Sequence, residues 1–167
     1  MKFINRKEEL RLLEKEYARN RFSFVVIYGR RRVGKTRLIQ EFMRDKQGLY
    51  FLADTQTEKL NMMRLQSRAA QWLEDSFLRK AEFQDWYDLL AYIVQVGTRK
   101  SEKFVLAIDE FQYLVQVNPA IVTVLQRFID EVMQNTRCML ILCGSIISLM
   151  YKNTLAYSSP LYGRRTA

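Results

Sequence analysis

"FSFVVIYGRRRVGKTRLIQEF", residues 22–42, is the stretch whose reading decides the fold. Its first part, Phe22 to Tyr28, is a continuous apolar run rich in β-branched and aromatic side chains and ending at Gly29, which predicts a buried strand. Beyond Thr36, Leu38, Ile39 and Phe42 return to one face at helical spacing, which predicts a helix. Between the two lie Gly29, Gly34, Lys35 and Thr36, in the spacing G-x-x-x-x-G-K-[ST]. Average residue usage would produce that match in a chain this long on the order of 1% of the time, and the flanking strand and helix lower the odds further.

The spacing has a physical cause. Gly29 lets the chain leave the strand sharply, and Gly34 allows the backbone to approach a ligand closely. The amides of Arg30, Arg31, Arg32, Val33, Gly34, Lys35 and Thr36, with Arg37 behind them, can then converge on phosphate oxygens at a helix N-terminus. Lys35 would bring its ammonium to the β and γ phosphates, and Thr36 would offer its hydroxyl to Mg²⁺. The alternative is a basic turn with no ligand, since three consecutive arginines could bring the same residues together by composition.

Composition limits the rest. The chain has 167 residues, 49% hydrophobic and 27% charged, enough for one domain over 1–167 with a single core. A formal net charge of +9 predicts attraction to polyanions such as nucleotides, nucleic acid or an acidic partner, although such charge also arises from solvated helix faces. There is no histidine, and the two cysteines, Cys138 and Cys143, both fall in "CMLILCG", so buried reduced thiols are expected rather than a zinc site. No apolar run approaches the ~20 residues that span a bilayer, and the first residues lack a signal-peptide core, so no membrane role and a cytoplasmic location are expected.

Strand and helix patterns alternate along the chain. "NRKEELRLLEKEYARN" predicts a first helix, with Asn5 and Glu8 at capping-box spacing and Leu10, Leu13 and Tyr17 on one face. "GLYFLAD" reads as a second strand. Two helical segments follow, one with Leu60, Met63, Ala70, Leu73 and Phe77 turned to the core, the other with Trp86, Leu89, Leu90, Ile93 and Val94 and an end at Gly97. Trp72, Trp86 and the methionines are expected to pack in the core. "KFVLAIDE" and "CMLILCGS" read as third and fourth strands. Asn118 and Pro119 would start a helix running to about residue 134, Ile146 to Met150 would begin another, and the remaining tail reads as loop without a closing element. Apolar strands without polar alternation predict a parallel sheet covered on both faces, with ligands bound beyond the strands' carboxyl ends.

The informative motifs do fall at strand ends. Asp109 closes "VLAIDE", where its carboxylate could hold magnesium directly or through water, and Glu110 is free to orient and activate a water for attack on a γ-phosphate. That pair favours hydrolysis over phosphoryl transfer to a small molecule, which would need an acceptor pocket the sequence does not reveal. Ser145 follows Gly144, where a small hydroxyl could meet the γ-phosphate or the attacking water, or could equally cap the next helix. Gln112 lies near the acids with no role assigned.

Together "FINRKEEL", "YGRRRVGKT", "FVLAIDEFQYL", "LILCGS" and "SPLYGRRT" resemble the archaeal-type P-loop ATPases of the AAA-related and STAND-type group. The resemblance covers nearly the whole chain. It implies an α/β fold, a three-layer α/β/α P-loop NTPase of the additional-strand type with sheet order 5-1-4-3-2, ending before its last strand and before a C-terminal lid or winged-helix region. It makes Gly29–Thr36 the Walker A loop, Asp109 and Glu110 Walker B, and Ser145 the sensor-like position. It puts Asn5 and Arg6 near the base, against the alternative of a capped surface helix, and makes Arg164, ahead of Arg165, an arginine finger toward a neighbouring subunit, against the alternative of a basic tail.

The expected activity is Mg-dependent hydrolysis of ATP, coupled to conformational change or to oligomerisation through the edge of the ATP site. The catalytic set is Glu110, Lys35, Ser145 and Arg164, with Thr36 and Asp109 on the metal. The competing reading is a nucleotide-dependent switch or a DNA- or protein-binding module with negligible turnover.

Overall fold

The computed structural model describes residues 6–167, apart from the side chains of Ile147, Ser148 and Leu155. Four parallel strands form one sheet: β1 (Ser23–Tyr28), β2 (Gly48–Leu52), β3 (Val105–Asp109) and β4 (Met139–Gly144), in the order β1-β4-β3-β2. This is the 1-4-3-2 part of the expected arrangement. The register pairs Tyr28 with Gly144 and Leu52 with Asp109, so the carboxyl ends of all four strands lie along one rim. The loops after β1 and β3 emerge on either side of β4, which is where an open parallel sheet leaves a crevice for ligands.

Every residue of β3 and β4 is buried, which explains the absence of polar alternation in those strands. Alternate side chains enter different cores. Val105 and Ala107 pack with Leu13 of α1 (Lys7–Tyr17) and with Leu38, Ile39 and Phe42 of α2 (Lys35–Met43) on one face. Leu106 and Ile108 pack on the other, with Leu65 of α3 (Glu58–Leu73), Leu89 and Ile93 of α5 (Trp86–Lys100), and Phe128 of α7 (Ile121–Glu131). Between α3 and α5 runs the short α4 (Ser76–Lys80). The result is three layers, with the helices holding the strand rim rigid.

The inward face of α3 differs from the one predicted. Of the predicted stripe, Ala70 is buried and Leu73 packs against the core, but Leu60 and Met63 are 44% and 53% exposed and Phe77 of α4 is 64% exposed, whereas Asn61, Met62, Leu65, Ala69 and Leu78 are buried. The cause is Asn61, a polar residue on the buried face. Its amide accepts from the Asp54 N–H and donates to the carbonyls of Asp54, Gln56 and Thr57, stapling the β2–α3 turn. A stripe drawn through apolar residues alone is rotated away from it.

Gly97 does not end α5, which continues to Lys100. A Cβ at Gly97 would fall 2.9 Å from the Phe104 ring, so this glycine lets the helix approach the chain entering β3. The segment after β3 forms a separate helix, α6 (Gln112–Val117), ahead of α7, which stops at Glu131 before a 3-10 turn at Met133–Asn135. Asn118 joins the two helices, its Oδ1 accepting from the Ala120 N–H at 3.1 Å and its carbonyl from the Ile121 N–H at 3.0 Å. At α1, Arg6 occupies the N-cap position with no side-chain capping bond. The capping role predicted for Asn5 lies outside the described residues.

The tail is more ordered than a loop. After α8 (Ile147–Met150) comes a π-helical turn at Tyr151–Leu155, and the chain then returns to the sheet. The N–H groups of Thr166 and Ala167 donate to the Phe24 carbonyl at 2.7 and 3.1 Å, and the Val26 N–H donates to the Ala167 carbonyl at 3.0 Å. These residues lie along the outer edge of β1, the fifth position of the expected strand order.

Candidate functional site

The loop after β1 turns through two left-handed residues, Arg32 (φ +64°) and Gly34 (φ +85°), before α2 begins at Lys35. Glycine takes that conformation at Gly34 without penalty and leaves the helix's first amides open to a ligand. Lys35 is only 6% exposed, and its Nζ donates to the carbonyls of Gly29 at 2.8 Å and Arg30 at 2.6 Å. The ammonium is thus held inside the loop. A cavity of about 490 Å³ opens here, and its lining includes Arg31, Arg32, Lys35, Thr36, Arg37 and Glu110. The positive end of the α2 dipole and this set of cations make it a place for phosphate.

Asp109 is fully buried at the end of β3. Its Oδ2 accepts from Thr36 Oγ1 at 2.6 Å and Tyr50 OH at 2.7 Å, and its Oδ1 accepts from the Glu110 N–H at 2.8 Å. The Tyr50 phenol is pushed well above its ordinary range, first by burial and then by donating to this carboxylate. Burial likewise pushes up the Cys143 thiol, with the Asp109 charge adding to the effect.

Glu110 has a left-handed backbone (φ +55°), a conformation that costs a non-glycine residue about 1–2 kcal/mol. Its carboxylate accepts from Gln112 Nε2 and from Ser145 Oγ at 3.0 Å. Gln112 is fully buried and also meets Ser145 twice, through Nε2 to Oγ at 3.1 Å and through Oε1 from the serine N–H at 3.3 Å. Gly144 makes room for this group. A Cβ there would lie 2.4 Å from Met150 Sδ and 2.6 Å from Gln112 Oε1. Among the described residues, no buried side-chain nitrogen or oxygen lacks a partner, so a ligand that takes one of these side chains displaces a bond it already makes.

Around the mouth, Arg6 donates to the Val33 carbonyl, tying the start of α1 to the loop. Arg31 donates to Tyr113 OH at 2.5 Å, crossing from the loop to α6. Arg30 is exposed. Arg164 forms a bidentate pair with Asp130 of α7, at 2.7 and 2.6 Å, while Arg165 is exposed. The structure therefore unites Gly29–Thr36, Asp109, Glu110 and Ser145 on one rim and adds Arg6 to its edge. The Arg164 guanidinium is engaged within its own chain. Two residues went unassigned in the sequence: Tyr50, which reads as one more aromatic in a strand, and Gln112, whose only signal is its position two residues after Glu110.

A glycine-bent loop feeding a helix N-terminus, a lysine inside it, and a hydroxyl bonded to the acid of a parallel strand are the arrangement of a P-loop on an α/β sheet. The chain belongs to the family of ATPase domains found predominantly in Archaea, whose pattern it matches over residues 3–167. An uncharacterised protein of Methanocaldococcus jannaschii is 35% identical over 164 residues, covering 98% of this chain and 34% of that protein. An uncharacterised ATP-binding protein of the same organism is 52% identical over 44 residues, 26% of this chain and 75% of its own length.

Among solved structures, a Walker-type ATPase of Pyrococcus abyssi superposes with a TM-score of 0.62 at 24% identity, over 95% of this chain and 51% of its own. The Aeropyrum pernix ORC2 protein, solved with ADPNP and ADP, gives 0.67 at 16% identity, over 92% and 45%. These likenesses establish the P-loop ATPase fold. The chain spans about a third of the full-length M. jannaschii relative and about half of the solved chains. Among the described residues, no helix is long and apolar enough to cross a membrane.

Proposed function

We propose that this domain binds ATP with Mg²⁺ at the loop of residues 29–36 and hydrolyses it to ADP and phosphate. The observation that carries the reading is the convergence of Lys35, Thr36 and Glu110 on one cavity at the strand rim, with the buried Asp109 bonded to Thr36 behind it. In this reading the backbone amides from Arg30 to Thr36 and the Lys35 ammonium bind the phosphates, the lysine exchanging its two loop carbonyls for phosphate oxygens. Glu110 orients a water and takes its proton.

The donor set fits magnesium. Thr36 and Asp109 supply hard oxygens, a hydroxyl and a carboxylate bonded to each other at 2.6 Å. Too few protein ligands for a cage suits an ion that keeps waters and arrives with phosphates. When bound, the ion would neutralise charge developing on the phosphate oxygens.

The base has a candidate place beside the loop. Arg6, which reaches Val33, also lines a cavity of about 730 Å³ with Leu12, Val26, Tyr28 and Ala167. We assign the base to it. The role expected of Asn5 at the same site falls outside the described residues.

The coupling of turnover to conformational change or to self-association at the edge of the ATP site, the cytoplasmic location, and the place of residues 1–167 as the ATPase core of a longer protein remain parts of this proposal. The second reading, a nucleotide-dependent switch acting on DNA or a protein with negligible turnover, is favoured by one observation: Glu110 Oε2 is held by both Gln112 and Ser145. Phosphate release measured alongside oligomer size, with and without ATP, separates the two. Release that Glu110→Gln suppresses supports hydrolysis, and an ATP-dependent change in size with no release supports the switch. For DNA, duplex affinity should fall steeply with salt, and affinity insensitive to salt would exclude the basic surface as its site.

A further inference from the structure

Gln112 opens α6 as a buried amide, and the function proposed above gives it no task. Its hydrogen bonds tie Glu110 to Ser145, with both donors to Glu110 meeting the same oxygen, Oε2. One Nε2 hydrogen goes to Glu110 Oε2 and the other to Ser145 Oγ, while Oε1 takes the Ser145 N–H. Ser145 has one hydroxyl hydrogen, and it goes to the same Glu110 oxygen. The amide is held in a fully buried place, its Oε1 only 2.6 Å from where a Cβ of Gly144 would be. Three polar side chains from the β3–α6 turn and the end of β4 thus share two kinds of hydrogen, one fixed and one movable.

The geometry points to Gln112 as the positioning residue that couples Ser145 to Glu110, and so to the presence or absence of a third phosphate. With no triphosphate bound, the Ser145 hydrogen belongs to Glu110. A γ-phosphate oxygen, a stronger acceptor within reach of a strand-end hydroxyl, takes that hydrogen. The serine cannot serve both. Glu110 then loses one of its two donors, its freed lone pair turns to water, and Gln112 alone keeps the carboxylate from drifting. A diphosphate has no γ oxygen and leaves the resting set intact. This inference rests on reading the site as an ATP hydrolase with Glu110 as its base.

The test uses the isosteric Gln112→Glu, together with Gln112→Ala and Ser145→Ala, each compared under conditions where its own urea unfolding curve shows it fully folded. Gln112→Ala should lower kcat about ten- to a hundredfold, the scale of one hydrogen bond to a charged group, with ATP and ADP affinities within about threefold of wild type. Combining it with Ser145→Ala should cost less than the product of the two, because both act through one carboxylate. Gln112→Glu draws the serine hydrogen toward a second carboxylate, so the ratio of ADP to ATP dissociation constants should fall about tenfold with ADP affinity held.

Wild-type turnover in Gln112→Ala, equal loss of ATP and ADP affinity in either variant, or fully multiplicative effects would overturn the coupling. If the wild type releases no phosphate, hydrolysis fails as a reading. The binding ratio then decides the coupling by itself: a fall in Gln112→Glu supports it, and an unchanged ratio overturns it.

Discussion

Asp109 carries three hydrogen bonds on a carboxylate that solvent does not reach, and each donor comes from a different place: Thr36 from α2, Tyr50 from β2, and the next residue's own amide. A buried charge is tolerated only when so engaged. Tyr50→Phe keeps the ring and deletes one donor, which should lower stability by about 1.5 kcal/mol, read as a lower urea midpoint at unchanged m-value. An unchanged midpoint would mean that Tyr50 is incidental to Asp109. Gly144 is a second single-residue test. Alanine there collides with Met150 and Gln112, neither of which has space to retreat, so Gly144→Ala should cost about 1–3 kcal/mol in the same assay. At this scale the sequence was legible wherever chemistry restricts the residue type: Gly34, Lys35 and Thr36 could be named from spacing, and Asp109 and Glu110 from their place at a strand end behind that loop. Tyr50 and Gln112 could not, because a tyrosine in an apolar strand and a glutamine after an acid are each common for unrelated reasons, and their partners are distant in sequence.

Among the elements, strands were the most readable, since runs such as "VLAIDE" are buried on both faces and have no competing pattern, whereas their order came from the family resemblance. The helix face of α3 was less so. Its orientation is set by Asn61 holding the β2–α3 turn, a hydrogen-bond requirement that an apolar stripe does not contain. Gly97 misled in the same way, since the demand for a glycine comes from Phe104 across the packing interface. The tail showed no pattern of its own because its order depends on the edge of β1 and on Arg164, whose guanidinium grips Asp130 of α7. That pair fixes a prediction about elements. If its work is to tie the tail to α7, Arg164→Ala and Asp130→Asn should lower stability alike, by less than about 1 kcal/mol for so exposed a pair, and leave phosphate release equal. If Arg164 acts on a neighbour's phosphate, Arg164→Ala should suppress release while Asp130→Asn, which frees the arginine, should spare or raise it.

For the whole molecule, the sheet places four strand ends on one rim between two helical layers, and everything proposed for this domain happens on that rim. Packing on both faces makes the rim rigid, while the site's own side chains satisfy one another until a ligand exchanges with them. The central claim is therefore a division of labour: Lys35 holds phosphate, and Glu110 does chemistry on it. Phosphate release from ATP·Mg²⁺ and the affinity of a fluorescent ATP analogue, measured together in the wild type, Lys35→Ala and Glu110→Gln, test this most directly. Lys35→Ala should abolish binding and release. Glu110→Gln should bind as the wild type does and release phosphate about 10²–10⁴-fold more slowly, the range a general base supplies. Equal loss of binding in both variants, or unchanged release from Glu110→Gln, would contradict it.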